Sequence, residues 1–388
     1  MKHLLICICF LFISLFLFGQ DTVISTKFSP AFNLSIGYLP KTYPIAPKSP
    51  GAVLAGAEMF WKFNGKDKWH QYYNYPRGGF EVVYAYLGNN SELGSTIGLI
   101  PALEWHSKNA EKKWRFKMGF GVGYFDRIFD PISNTQNYYI GRHFMNMSRF
   151  SIHREIKISN KLAMRYGLSA IHASDGHTAL PNVGLNMFTA DVVINMRSSR
   201  KEASRVEYED ERKNYYTIKF GVGMHELGKT EKPVGGPSYP SYHLSGWYNR
   251  SLKHIHVLQL GLILGYYTSF YDYIVNQEVY SSKQNLRSST AILFVGHEFV
   301  FGKFGLSTQA GIYLYNPFYI KQAKLEGTWD NTSDKLESVF TNRLGLNYYP
   351  FKKCNSLNKL KGQLGLSIYI KTNLAQADLF EYALSFTF

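Results

Sequence analysis

A chain of 388 residues with a net charge of +15 and a mean hydropathy of −0.21 holds one long apolar run, at its start, which excludes a bundle of membrane-spanning helices. Yet 16% of the residues are aromatic, 29 Tyr and 28 Phe among them. Aromatic richness beside near-neutral hydropathy fits an all-β transmembrane antiparallel barrel, whose lipid-facing apolar side chains alternate with polar ones facing the lumen.

Met1-Lys2-His3 precedes an almost unbroken apolar stretch over 4–18 and a small residue at Gly19. That reads as a signal peptide over residues 1–20, too short to span a bilayer comfortably. Cys7 and Cys9 lie inside it, so its removal leaves Cys354 as the lone thiol and excludes an internal disulfide. Candidate strands then fall at 31–39, 51–63, 79–88, 96–106, 114–125, 141–157, 161–174 and 184–197. The charged stretch 198–213 is too polar for hydrocarbon and reads as a linker between halves. Further strands fall at 215–225, 240–251, 255–269, 286–300, 304–316, 336–348, 360–372 and 379–388. The expected total is about sixteen, in two sets of about eight, with halves over 21–200 and 201–388. Length leaves open one large barrel or two tandem ones.

The last strand alternates cleanly, with Tyr382, Leu384, Phe386 and Phe388 on one face. It resembles the closing strand of Gram-negative outer-membrane barrels, in which a terminal aromatic is read by the barrel-assembly machinery. A short repeat joins the halves: Gly167-Leu168-Ser169 and Gly365-Leu366-Ser367 each precede the end of a set. Aligned there, His172 meets Ile370 and Ser174 meets Thr372, so the second copy lacks the first copy's reactive side chains.

Over 161–175 the even positions are Leu162, Met164, Tyr166, Leu168, Ala170, then His172 and Ser174. Side chains alternate faces along a strand, so His172 and Ser174 extend the lipid-facing row. The next strand carries Phe188, Ala190, Val192, Ile194 and Met196 in one row, headed by Asn186. With a periplasmic N-terminus, the seventh strand delivers residues 172–182 to the outer face. Polar groups ending two apolar stripes are costly unless useful. The fitting chemistry is acyl transfer from an ester to water: Ser174 as nucleophile, His172 as base, Asn186 orienting the imidazole. A backbone N–H near Asp175 and Gly176, with Asn182, is the expected oxyanion stabiliser.

His172-Ala173-Ser174-Asp175-Gly176 followed by Leu180-Pro181-Asn182-Val183-Gly184-Leu185-Asn186 resembles the signature of PagL-type lipid A 3-O-deacylases and related acyloxyacyl hydrolases. The family pattern is His-x-Ser-Asn, a short gap, Pro-Asn-x-Gly, then an acidic or amide residue. Gly119-Phe120-Gly121-Val122-Gly123-Tyr124-Phe125 looks like the strand upstream in these proteins. The second half resembles longer members around Gly235-Gly236-Pro237-Ser238-Tyr239-Pro240, Gly311-Ile312-Tyr313-Leu314-Tyr315 and Ala375-Gln376-Ala377-Asp378. The resemblance implies a Gram-negative outer-membrane ester hydrolase acting on the lipid A of lipopolysaccharide, with Ser174 as nucleophile and His172 as base. The positive charge suits lipopolysaccharide phosphates; nucleic acid is the usual alternative partner of a basic chain, but an exported barrel rarely meets it.

Two departures from the pattern bear on activity. Asp175 stands where the family usually has Asn, and a carboxylate beside a developing oxyanion repels it unless protonated or turned away. Asn186 stands where the original deacylases have Glu, and an amide stabilises imidazolium less than a carboxylate does. Together they make a second reading credible: a catalytically inactive barrel that binds lipopolysaccharide or acts as a channel. His143, His153 and His177 do not make a zinc site by spacing, and neither a metal nor a cofactor is expected. His143 is expected to face the lumen, His254 and His256 to share a strand face, and Asp126 and Asp130 to be loop charges.

Overall fold

Period-two alternation governs both halves of the chain. In the computed structural model, which describes residues 28–107, 113–197, 213–229, 232–233, 236–253, 255–351, 362–374 and 376–388, it builds two closed barrels of eight strands each. The expected signal peptide, nearly all of the charged linker, Cys354 and His254 lie outside the described residues.

The first barrel runs β1 (Phe28–Tyr38), β2 (Ala52–Lys62), β3 (Arg77–Tyr86), β4 (Ser95–His106), β5 (Trp114–Phe125), β6 (Phe144–Lys157), β7 (Leu162–Ser174) and β8 (Leu185–Met196). Each strand pairs antiparallel with the next, and β8 closes on β1 with Leu34 opposite Val192. A short helix, α1 (Lys68–Tyr72), interrupts the β2–β3 connection. The second barrel runs β9 (Lys213–His225), a two-residue pair β10 (Gly228–Lys229) and β11 (Lys232–Pro233) outside the barrel wall, then β12 (Tyr239–Leu252), β13 (His256–Tyr267), β14 (Ser289–Phe301), β15 (Phe304–Tyr315), β16 (Phe340–Tyr348), β17 (Gln363–Asn373) and β18 (Gln376–Thr387). Here β18 closes on β9, with Leu384 opposite Phe220. Two tandem barrels, not one large one, are therefore present.

Four helices fall where the sequence reading placed strand ends or loops: α2 (Thr268–Asn276), α3 (Gln284–Arg287), α4 (Pro317–Leu325) and α5 (Thr332–Val339). Residues 268–269, 286–287 and 336–339, expected as strand, are helical, and 141–143 precede β6. These short helices cap the mouth of the second barrel, where Phe270 and Phe318 stack at 4.0 Å over Tyr267 and Leu379.

Outward rows are apolar, as in Leu34, Ile36, Phe150, Leu168, Phe188 and Val192 of the first barrel and Leu244, Leu260, Leu262 and Leu384 of the second. Inward rows are charged and paired, because an unpaired buried charge is costly. Arg165 bonds Glu104 and, at 2.6 Å, Glu58. Lys117 bonds Glu58 at 2.6 Å and Glu81 at 2.9 Å, and Arg149 bonds Glu81 and, at 3.0 Å, Asp191. In the second barrel Glu381 takes Lys219 at 2.8 Å and Arg343, while Lys371 bonds Asp378 at 2.7 Å. Eight strands enclose a space that side chains fill. At the end where β7 meets β8, an apolar plug built from Leu54, Val83, Phe125, Met147, Ile171 and Met187 closes the first barrel.

The repeated Gly-Leu-Ser segments occupy the seventh strand of each barrel, β7 and β17. The barrels touch at both ends. Away from the β7–β8 loop, the Tyr73 hydroxyl donates to Ile255 O at 3.2 Å, and its ring meets Phe301 at 4.7 Å. At the other end the loop after β7 rests on the end of β9.

Candidate active site

Strand alternation brings His172 outward on β7, and the β7–β8 register sets Asn186 directly opposite it. His172 Nδ1 lies 2.8 Å from Asn186 Oδ1. An amide oxygen only accepts, so Nδ1 carries the proton and Nε2 keeps its lone pair. The ring is exposed, and it sits against the turn that enters β8. Gly184 there has φ +77°, and a Cβ on it would stand 3.0 Å from His172 Cε1. Only glycine both tolerates that backbone and leaves the ring its place.

Ser174 is the last residue of β7. It continues the outward row in register, yet it is 6% exposed rather than open to lipid, because the loop over 175–184 folds across it. That is a correction to the expected lipid-facing position. Its Oγ accepts hydrogen bonds from the Gly176 backbone N–H at 3.1 Å and from Asn182 Nδ2 at 3.0 Å. Gly176 adopts φ +67°, which turns its N–H back toward the serine. Among the described residues, no hydrogen bond joins Ser174 to His172. The hydroxyl accepts two donors and keeps its own proton uncommitted.

Asp175 is turned away from this cluster. Its Oδ1 accepts from the backbone N–H groups of His177 at 3.0 Å and Thr178 at 3.2 Å, shaping an Asx-type turn. Burial pushes its carboxyl up to about 7, against the lowering effect of those N–H groups and of Arg142. The six residues singled out from the sequence, His172, Ser174, Asp175, Gly176, Asn182 and Asn186, thus gather at one end of β7 and β8.

Glu226, just beyond β9, escaped the sequence reading. Its carboxylate accepts the Leu180 N–H at 3.0 Å, its own N–H donates to His177 O at 3.2 Å, and the His177 ring stacks on His225 at 5.1 Å. A single acid in a glycine-containing stretch carries no pattern that would have marked it.

The remaining candidates separate. His143 is exposed, stacked on Tyr124 at 5.5 Å and bonded through Nδ1 to Phe125 O at 2.7 Å; it precedes β6, so the parity that would have aimed it into the lumen does not apply. His153 lies inside the first barrel, 2.9 Å from Asp191. Asp126 caps Ser95 N at 2.7 Å and Asp130 caps Ser133 N at 2.6 Å, both as loop fasteners. His256 neighbours His297 at 5.1 Å.

The family model described as lipid A 3-O-deacylase (PagL) matches residues 55–195, and that described as acyloxyacyl hydrolase, C-terminal domain, matches residues 214–388. Among solved structures, the outer membrane enzyme PagL is similar at 16% identity and TM-score 0.30, over 42% of this chain and 97% of that one. OccAB1 of Acinetobacter baumannii is similar at 10% identity and TM-score 0.22, over 93% and 95% of the two chains. The outer membrane protein opdK of Pseudomonas aeruginosa is similar at 8% identity and TM-score 0.20, over 93% and 98%. No curated protein matches. One family model spans most of the first barrel and its companion spans the second, so the chain belongs to the PagL-type lipid A 3-O-deacylase and acyloxyacyl hydrolase family of outer-membrane β-barrels.

Proposed function

We propose that this protein hydrolyses an acyl ester of lipid A in the outer membrane of a Gram-negative bacterium, using Ser174, His172 and Asn186. The observation that carries the reading is the His172–Asn186 pair, set on the lipid-facing row beside a serine whose oxygen already meets two N–H donors.

In the reaction, Ser174 Oγ attacks the acyl carbonyl while its proton passes to His172 Nε2. Asn186 holds the ring and the tautomer through Nδ1. The carbonyl oxygen becomes an oxyanion, and the Gly176 N–H and Asn182 amide, which point at Oγ in the free protein, are the donors nearest to it. His172 then protonates the departing sugar oxygen. Water, deprotonated by His172, cleaves the acyl-serine, releasing a fatty acid and regenerating the hydroxyl. Catalytic hydrogen bonds are often absent before substrate binds, which accommodates the missing Ser174–His172 bond. Below about pH 7 burial keeps Asp175 largely neutral, and its turn into its own loop lessens the repulsion its charge would bring to the oxyanion.

The outward apolar rows below the site suit the acyl chains, the basic balance suits lipid A phosphates, and the terminal Phe388 row suits delivery by the barrel-assembly machinery. The second reading, an inactive lipopolysaccharide-binding barrel, is favoured by the unmade Ser174–His172 bond. A channel fits poorly with lumens filled by Arg149, Arg165, Lys117 and Lys219.

The test is mass spectrometry of lipid A after incubation with refolded protein, beside a Ser174→Ala control. Loss of one acyl chain with the unaltered protein alone is expected, and the mass identifies the chain. Intact lipid A in both samples, with folding verified, would leave the inactive barrel.

A further inference from the structure

The segment 175–182 supplies both N–H donors that meet Ser174, yet much of what holds it comes from the other barrel. The Leu180 N–H is taken by the buried Glu226 carboxylate at 3.0 Å, and Glu226 N–H returns a bond to His177 O at 3.2 Å. His177 stacks on His225, the last residue of β9, at 5.1 Å with 20° between the planes. Gly176 lies so close to β18 that a Cβ there would stand 3.0 Å from Phe380 Cβ. From the first barrel, outside the loop's own turn, Arg142 donates to Thr178 O at 2.7 Å.

We infer that the second barrel is a clamp for the reactive loop of the first, and that Glu226 is its positioning residue, fixing residues 176–182 so that the Gly176 and Asn182 donors converge on Ser174. The inference rests on the hydrolase reading for its catalytic consequence and on geometry alone for the clamp. Two reciprocal hydrogen bonds between Glu226 and the His177–Leu180 backbone leave the loop little freedom, since a buried backbone group stripped of its partner is costly. Phe380 sets the depth at which the Gly176 turn can sit. The second barrel thereby acts on the reaction with no residue of its own touching the substrate. A displacement of the donors by even about 1 Å is enough to slow such a reaction markedly.

The experiment compares refolded full-length protein with Glu226→Ala, Glu226→Gln and Phe380→Ala variants, each checked for folding by heat-modifiable gel mobility. Two readouts are taken: kcat and KM for lipid A deacylation, and hydrogen exchange over 175–184. Glu226→Ala is expected to lower kcat by about tenfold, the equivalent of one lost buried hydrogen bond, with KM unchanged and exchange accelerated. Glu226→Gln keeps a carbonyl oxygen for the Leu180 N–H and is expected to restore both. Wild-type kcat in Glu226→Ala, or a loss that Glu226→Gln does not restore, overturns the positioning role. If Glu226→Ala does not fold, Phe380→Ala decides on the same two readouts. If the unaltered protein cleaves nothing, the hydrolase reading falls and exchange alone decides the clamp: unchanged exchange in Glu226→Ala overturns it.

Discussion

His172 and Asn186 face each other across the β7–β8 ladder, and their 2.8 Å bond fixes which imidazole nitrogen is free to act as base. The bond sets orientation and tautomer without adding charge, which distinguishes this site from one built on a carboxylate. The consequences of that choice are measurable.

Replacing the amide by a carboxylate makes the bond charge-assisted in the imidazolium state, and such bonds are roughly twice as strong as neutral ones. Asn186→Glu is expected to raise kcat about tenfold. Asn186→Leu, which removes the acceptor, is expected to lower it by roughly ten- to a hundredfold with KM little changed. Deacylation kinetics on purified lipid A check both; a wild-type rate in Asn186→Leu would remove Asn186 from the mechanism.

Asp175 predicts a pH dependence. Its carboxyl is raised to about 7 by burial, so the folded protein holds a proton there that the unfolded chain releases near pH 4. Stability from this group is complete below the unfolded value and declines as pH rises from there through about 7. Above that pH the charge appears on the residue immediately before Gly176, the site's first oxyanion donor. Asp175→Asn is therefore expected to match wild type in activity at pH 6 and exceed it by pH 8, and to match it in melting temperature only below about pH 4, with the gap widening up to about pH 7. A variant-to-wild-type activity ratio that stays flat from pH 5 to 9 would contradict this.

Alternation along β7, β8 and β18 made the barrel class legible, because one polar and one apolar face per strand is a property of the sequence itself. The same alternation made His172 and Asn186 recognisable as a same-face pair. The number of barrels was not legible: β1–β8 and β9–β18 closures join residues far apart in the chain, and strands of one large barrel would alternate identically. The end of helix α5, residues 336–339, carries a strand-like pattern because its apolar residues, Leu336 and Val339, lead directly into β16 without a breaking Gly or Pro. Ser174 was misplaced on the lipid face because its burial comes from a loop folding over it, and Glu226 was invisible because its partner is a backbone N–H in the other barrel.

Gly184 offers a test of how tightly the base is held. A methyl group there would meet His172 Cε1 at 3.0 Å and Ala173 O at 3.2 Å, in a backbone conformation of φ +77° that alanine resists. Gly184→Ala is expected to destabilise the protein by about 1–2 kcal/mol and to cut kcat far more than that loss of fold explains. Activity per folded molecule, measured after separating folded from unfolded bands, isolates the second effect. Unchanged specific activity would mean the ring does not depend on that turn.

The lumen network of the first barrel predicts the largest change in stability. Arg165 is 1% exposed and bonds two carboxylates, Glu58, which also pairs with Lys117, and Glu104, which also pairs with Arg77 and, at 4.0 Å, with Arg115. Arg165→Met keeps the volume but leaves two buried anions short of a partner, at a cost of about 3–5 kcal/mol. The site end is insulated from it by the apolar plug around Ile171 and Met187, so specific activity of the folded fraction is expected to hold. Adding Glu58→Gln removes one of these charges, leaves Lys117 its bond to Glu81 at 2.9 Å, and is expected to recover part of the loss, because an amide costs far less to bury than a carboxylate. Urea-unfolding midpoints in detergent micelles for the single and double variants decide it. A double variant no more stable than Arg165→Met would show that Arg165 contributes packing of its long side chain rather than charge, and that the lumen is held by fit between side chains more than by their ionic pairing.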